Sequence, residues 1–134
     1  MMADPLTGGC FCGAVTYRLD APLKHARCCH CSRCRKAFSG AGSAYAEVEP
    51  GALTWTQAEP AIHRVDGGPW GIAFCGSCGS TLAGMIGEQA HGVTLGCVDD
   101  DPGVQIEHHQ FVGSRAPWDH IGGDAPQHDE APPQ

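Results

Sequence analysis

The sequence predicts one small, mainly β domain. Its 134 residues suit a single domain, and its 19 glycines and 10 prolines leave little room for long helices. Short apolar or β-branched runs recur at intervals of roughly 8–12 residues. Turn sequences separate most of these runs, such as Glu-Pro-Gly at 49–51 and Asp-Gly-Gly-Pro at 66–69. Short runs divided in this way are typical of an all-β protein.

The elements can be assigned in chain order. Residues 1–8 are predicted to be a flexible lead-in, residues 9–127 the folded domain, and residues 128–134 a disordered tail without large apolar side chains. One short helix is expected after Cys31, with Ser32 as its N-cap and Gly40 ending it. The strands are predicted at 14–19, 25–28, 43–48, 52–56, 61–65, 71–74, 80–85, 92–97 and 104–112.

Four of the nine cysteines lie within residues 28–34. Neighbouring side chains point in different directions, so one core cannot take them all, whereas zinc gathers thiolates into a tetrahedron. Cys29, Cys31 and Cys34 have metal-ligand spacing and leave one corner free, which is typical of a catalytic zinc site. The spacing equally allows a closed site with a fourth protein ligand, for which Cys28 is a candidate.

A second cysteine motif follows at Cys75-x-x-Cys78-Gly79. This pattern is typical of zinc-binding turns in which backbone amides donate to the ligand sulfurs. It needs two more ligands, and Cys10 and Cys12 lie on the same side of an extended segment. We therefore predict a structural zinc site made of these four cysteines. A thioredoxin-like redox pair is the alternative, and it needs a strand-to-helix setting that the sequence lacks.

Charge and cysteine usage narrow the classes of function. The net charge of −7 and the pI of about 5.5 argue against a nucleic-acid or anionic-membrane binder. The first residues show no basic segment followed by an apolar run, and no stretch is long enough to span a bilayer. Nine cysteines without an export signal are predicted to be metal ligands in a reduced, cytoplasmic protein.

Three stretches resemble the glutathione-dependent formaldehyde-activating enzyme family, which includes centromere-protein-V-like proteins. They are G-x-C-x-C-G at 8–13, C-H-C-x-x-C-R-K at 29–36 and F-C-x-x-C-G-S at 74–80. The resemblance continues with H-Q-F-V at 109–112 and A-P-W at 116–118, and it covers roughly residues 8–127. The order and spacing of three cysteine motifs make a chance match improbable.

The resemblance implies a β-tent fold of short antiparallel sheets with two zinc ions per chain. The structural ion maps to the four-cysteine site, and the catalytic-type ion maps to Cys29, Cys31 and Cys34. The family name implies a carbon–sulfur lyase that forms S-hydroxymethylglutathione from glutathione and formaldehyde. We therefore expect an enzyme that acts on a small thiol such as glutathione and a small aldehyde. The sequence leaves the oligomeric state open.

Several residues are candidates for contacting substrate. Arg33, Arg35 and Lys36 flank the predicted open site in a chain with only eight lysines and arginines. They are suited to clamp the two carboxylates of glutathione, or equally to form a solvated helix face that offsets the thiolate charge. His109 and Trp118 match family positions and are predicted as further contacts, although a tryptophan there also suits the core.

The other histidines are predicted to have no direct part in the site. His30 lies between two ligands, so its ring should point away from the metal, and surface placement is favoured over a role as a proton donor. His63, His91, His120 and His128 are predicted to be surface residues. A second class of function stays open, namely a non-catalytic binding or scaffold module that needs only the four-cysteine site.

Overall fold

The computed structural model describes residues 5–133, and these form ten strands, one α-helix and three 3-10 turns. The strands are β1 (Leu6–Gly9), β2 (Thr16–Leu19), β3 (Lys24–Cys29), β4 (Ser43–Glu47), β5 (Leu53–Trp55), β6 (Ala61–Arg64), β7 (Trp70–Phe74), β8 (Thr81–Ile86), β9 (Gln89–Thr94) and β10 (His108–Gln110). The helix α1 spans Ser32–Phe38, and the 3-10 turns are Val65–Gly67, Leu95–Cys97 and Val112–Ser114. The prediction of a mainly β fold is confirmed.

The strands form two sheets. Three of them make a small antiparallel sheet in the order β1-β2-β5, and seven make a larger sheet in the order β10-β3-β4-β9-β8-β7-β6. All neighbouring strands in the described residues pair antiparallel except at one edge of the large sheet, where β10 pairs parallel with β3. The long connection from β9 to β10 allows this pairing, because parallel neighbours need a crossover rather than a hairpin.

The inner face of the large sheet packs against the small sheet. Ala46, Val93, Ala83 and Ala73 are cross-strand neighbours along one row of this face, and each is at most 1% exposed. They belong to the same buried cluster as Tyr17 of the small sheet. Side chains this small let the two sheets approach closely, which leaves little space for reactants on the inner side.

The outer face of the large sheet carries polar residues, glycines and several large apolar side chains, and it is partly covered by α1. Cross-strand partners share a face, so the pair Cys29 and Ser43 lies on the same side as Tyr45 and Thr94. A bulge between β8 and β9 adds His91 to this arrangement. The predicted ligand Cys29 therefore lies on the outer face, together with Tyr45, His91 and Thr94.

The helix begins and ends differently from the prediction. Cys31 is the N-cap, because its Sγ accepts the backbone N–H of Cys34 at 3.3 Å. Ser39 ends the helix in a left-handed conformation with φ of 54°, one residue before the predicted Gly40. The predicted ligand Cys31 therefore also starts the helix.

The predicted boundaries of the domain also differ from the structure. Residues 6–8 of the expected lead-in belong to β1 and pair with β2, as in Leu6 opposite Leu19. In the expected tail, the carbonyls of His128 and Glu130 accept backbone N–H groups of residues 112 and 111. These hydrogen bonds fix both segments onto the domain. Residues 1–4 and 134 lie outside the described residues.

Within residues 5–133 no helix combines the length and the hydropathy that crossing a membrane requires.

Candidate metal centres and the adjoining cavity

Cys10, Cys12, Cys75 and Cys78 converge at one end of the fold, and their sulfur atoms lie within 4.8 Å of one another. The turn after β1 supplies the first two, and the turn between β7 and β8 supplies the others. Residues 65 positions apart in sequence are thus brought together as the spacing predicted. All four are free thiols rather than disulfides.

The geometry of this cluster suits zinc. The Sγ atoms of Cys10 and Cys12 are 3.7 Å apart, as are those of Cys12 and Cys75. A tetrahedral ion with Zn–S bonds of about 2.3 Å separates its sulfurs by about 3.8 Å. Backbone N–H groups also donate to the sulfurs, from Val15 to Cys10 at 3.3 Å and from Ser77 to Cys75 at 3.4 Å. These donors stabilise thiolates, as expected around a zinc ligand.

The second cluster consists of Cys29, Cys31 and Cys34, whose sulfurs also lie within 4.8 Å of one another. Cys29 ends β3 and is buried, while Cys31 and Cys34 belong to the N-terminal turn of α1 and are half-buried. The tight connection between strand and helix therefore turns all three thiols to one point. Three thiolates suit zinc and leave one position of a tetrahedron open.

The thiols of the second cluster differ in their pKa values. The hydrogen bond from Cys34 holds the pKa of Cys29 at about 5, against the opposing effect of burial. The same bond and burial raise the pKa of Cys34. Cys29 is therefore a thiolate near neutral pH, and thiolate is the form that binds a metal.

His30 is a site residue whose burial the sequence analysis missed. It is 3% exposed, so the prediction of a surface position is wrong. Its Nε2 lies 2.9 Å from Nδ1 of His109, and its Nδ1 lies 3.8 Å from a carboxylate oxygen of Asp119. The parallel pairing of β10 with β3 positions His109 beside His30. That pairing is long-range, so local sequence gave no signal of it.

His30 and His109 also form a group with Cys28, and their candidate ligand atoms lie within 4.8 Å of one another. Cys28 and Cys29 are successive residues of β3, so their side chains point to opposite faces of the sheet. The group of Cys28, His30 and His109 therefore lies on the other side of β3 from the three-cysteine cluster. Burial raises the pKa of Cys28 to about 11, so this thiol is protonated at neutral pH.

A cavity of about 280 Å³ adjoins the three-cysteine cluster on the outer face of the large sheet. Arg33 and Cys34 line its side nearest the cluster, with Phe38 farther along the helix. Its other lining residues come from the sheet and the turn after β6, among them Tyr45, Val65, Trp70, Ile72, His91 and Thr94. A reactant held at Cys34 therefore has a half-open cavity next to it.

The predicted substrate contacts are divided among several places. Of the basic residues, Arg33 lines the cavity, whereas Arg35 and Lys36 are not among its lining residues. The side chain of Trp118 is 67% exposed and also lies outside this lining. His91, expected on the surface, instead lines the cavity, and the bulge that places it there has no signal in the sequence.

Comparison with known proteins agrees with this arrangement. Residues 5–114 match the model of a family described as glutathione-dependent formaldehyde-activating enzyme. The chain belongs to this family. The region of the family match contains both cysteine clusters and His109, and it ends before Trp118. Family membership and the cysteine clusters together support a zinc-binding protein of the formaldehyde-activating type.

A solved structure is similar to this member of the formaldehyde-activating family. It is the crystal structure of a Rhodobacter sphaeroides protein determined as a structural genomics target. The two are 25% identical with a TM-score of 0.53, over 74% of this chain and 90% of that one. No curated protein matches the chain.

Proposed function

We propose that this protein is a zinc-dependent carbon–sulfur lyase that joins a glutathione-like thiol to a small aldehyde. The observation that carries the proposal is the position of the three-cysteine cluster, with Cys34 lining a cavity large enough for a reactant. Three cysteines converge at this cluster, whereas the other cluster has four cysteines that bring two turns of the chain together. An incomplete ligand set beside a cavity is the arrangement that a catalytic metal needs.

The two clusters would divide the metal chemistry between them. The four-cysteine cluster would hold a zinc ion that stabilises the fold, and the three-cysteine cluster would hold a second ion at the cavity. Zinc bound at the second cluster supplies positive charge that favours a thiolate over a thiol at the open position. The chain's own part is to hold Cys29 as a thiolate and to fix Cys31 through the N–H of Cys34.

The reaction forms one carbon–sulfur bond and converts the carbonyl double bond into a single bond. The thiol proton ends on the former carbonyl oxygen, so the product is a hemithioacetal and no oxidant or reductant is needed. Holding the thiol sulfur at the three-cysteine cluster with the aldehyde next to it would lower the entropic part of the barrier to their addition.

The substrate contacts are proposed with different roles. Arg33 is at the cavity and is the first candidate for a carboxylate of the thiol substrate. Arg35 and Lys36 would reach a second carboxylate only outside the cavity. His109, through its hydrogen bond to His30, would orient the segment between the cysteine ligands rather than contact substrate directly. Trp118 stays a prediction.

NMR exchange between free formaldehyde and S-hydroxymethylglutathione tests the proposal, with the zinc content of the protein counted. We expect the wild-type protein to accelerate exchange, Cys31→Ser to abolish the acceleration, and Cys97→Ser to retain it. Cys97 is a suitable control because it belongs to neither cluster and its sulfur contacts the carbonyl of Thr81. No acceleration by protein with both sites filled, with formaldehyde or with a larger aldehyde, would overturn the lyase proposal. Protein that fills only the four-cysteine site and does not accelerate exchange would support the scaffold alternative.

A further inference from the structure

The cavity beside Cys34 is too apolar for the two reactants that the family name suggests. Its walls include the aromatic rings of Phe38, Tyr45 and Trp70 and the aliphatic side chains of Val65 and Ile72. Formaldehyde has no apolar body to place against such walls, and glutathione carries two carboxylates.

Charge in the cavity is also scarce. Among its described lining residues, Arg33 is the only one with a permanent charge, and its guanidinium lies 3.5 Å from a carboxylate oxygen of Asp66. Burial lowers the pKa of His91, so its ring is mainly neutral at pH 7. The charged ends of glutathione are therefore better placed outside, where water solvates them.

Two glycines on the floor of the cavity leave room for the aromatic rings beside them. Gly84 and Gly92 are direct cross-strand neighbours on the outer face, and both line the cavity. A Cβ on Gly84 would lie 2.8 Å from Nε2 of His91, so a side chain there would push that ring away. The ring of His91 packs edge-on against Trp70, with centroids 4.9 Å apart. The glycines thus permit a wall of two rings above a flat floor.

One polar group inside this apolar lining has no partner. The hydroxyl of Thr94 is buried and makes no hydrogen bond within the described part of the chain, although Thr94 lines the cavity. The same burial keeps this hydroxyl out of contact with a ligand in the cavity, so the polar groups within reach lie on the side of Arg33 and Cys34. Apolar walls with one or a few polar anchors are the usual form of a small-molecule site.

We propose that the cavity binds the carbonyl reactant, and that this reactant is an aldehyde with an apolar body the size of an aromatic ring, whose carbonyl group lies toward Cys34. The inference rests on the proposed lyase function, since it names the substrate class of the same site. A cavity of about 150 Å³ accommodates benzene, so the 280 Å³ found here accepts a ring with a short chain. Formaldehyde would leave most of that space to water.

The test separates binding from reaction. Phenylethyl alcohol, which cannot form a hemithioacetal, is titrated while the indole N–H of Trp70 is followed by NMR. Exchange of glutathione with phenylacetaldehyde and with formaldehyde is measured in parallel. The variants are Ile72→Ala, which removes part of one wall but keeps the Trp70 signal, and Ala37→Leu, which fills the cavity from α1. Ile86→Ala is the matched control, since Ile86 is an exposed apolar residue opposite Trp70 and outside the lining.

We expect the alcohol to shift the Trp70 signal, and both cavity variants to weaken its binding about tenfold. The same variants should slow exchange of phenylacetaldehyde by a similar factor while formaldehyde exchange stays within about twofold, because formaldehyde touches no wall. Ile86→Ala should change neither quantity. Equal losses for both aldehydes in the cavity variants, or no binding of the alcohol, would overturn the inference. Alcohol binding that Ala37→Leu weakens, with neither aldehyde accelerated, would support the apolar site and overturn the lyase reaction.

Discussion

Replacing Cys75 by serine measures how much the four-cysteine cluster contributes to the stability of the fold. Cys75 is 1% exposed at the end of β7, and its sulfur accepts the backbone N–H groups of Ser77 and Cys78 at 3.4 Å. Structural zinc contributes roughly 10–16 kcal/mol in small domains, so each of four ligands accounts for about 3 kcal/mol. For a domain of this size that loss corresponds to a fall in Tm of about 10 °C.

Cys31→Ser is the matched control for this measurement. It also removes one thiolate, but from the cluster beside the cavity. Serine at this position still accepts the N–H of the third helical residue, because Ser is a preferred N-cap. We therefore expect Cys31→Ser to lower the free energy of unfolding by less than about 1 kcal/mol.

The assay is thermal unfolding of both variants and of the wild type, with bound zinc counted in each sample. A strong chelator added to the wild type should lower its Tm by at least as much as Cys75→Ser does. Equal falls in Tm for the two serine variants would refute the division into a structural and an open cluster. An unchanged Tm in Cys75→Ser with zinc still bound would refute the four-cysteine site itself.

Three further substitutions test the packing around the site. Tyr17→Phe should leave stability unchanged or raise it, because the buried Tyr17 hydroxyl has no hydrogen-bond partner in residues 5–133. Burial raises the pKa of Tyr17, so the contribution of this group to the free energy of unfolding is complete below pH 10 and declines at higher pH. Urea titrations at alkaline pH should therefore show that Tyr17→Phe reduces the pH-dependent loss of stability by about 1.4 kcal/mol per pH unit. Gly8→Ala should cost about 3 kcal/mol in the same titrations, because its Cβ would overlap the Tyr17 ring, and a stable variant would contradict the packing described. Arg27→Lys should cost about 1–2 kcal/mol, since Arg27 Nε donates to the Tyr45 hydroxyl at 2.9 Å and lysine cannot also keep the bond to Glu47; unchanged stability would count against this network.

The cysteine sites were predictable because metal ligation imposes fixed spacing on the sequence. Two short motifs far apart in sequence each contain two of the four cysteines that a tetrahedral metal site needs. The grouping of Cys10 and Cys12 with Cys75 and Cys78 was predicted because no other motif contained a pair of cysteines that was still unassigned. The strands were predictable for a similar local reason, since glycine and proline turns delimit them. All nine predicted strand segments overlap one strand each, β2 to β10, with shifts of a few residues at the ends, whereas β1 was not predicted.

The remaining features depend on contacts between distant parts of the chain. The parallel pairing of β10 with β3, which buries His30 against His109, is decided by how the long connection after β9 crosses the fold. The position of His91 depends on a bulge, and bulges follow from strain in the whole sheet rather than from a local motif. The cavity combines a helix face with the four strands β4, β7, β8 and β9, so only the assembled sheet reveals that its lining is mostly apolar.

The residues that shape the cavity are separate from those that form the four-cysteine cluster. Trp70, Ile72 and His91 can change without removing any of those sulfurs, because the cluster lies in turns outside the cavity lining. Mutation can therefore alter which molecule fits beside Cys34 while the cross-link between the N-terminal segment and the middle of the chain is kept. A scaffold divided in this way lets a family diversify its reactants over evolutionary time without first losing the ability to fold.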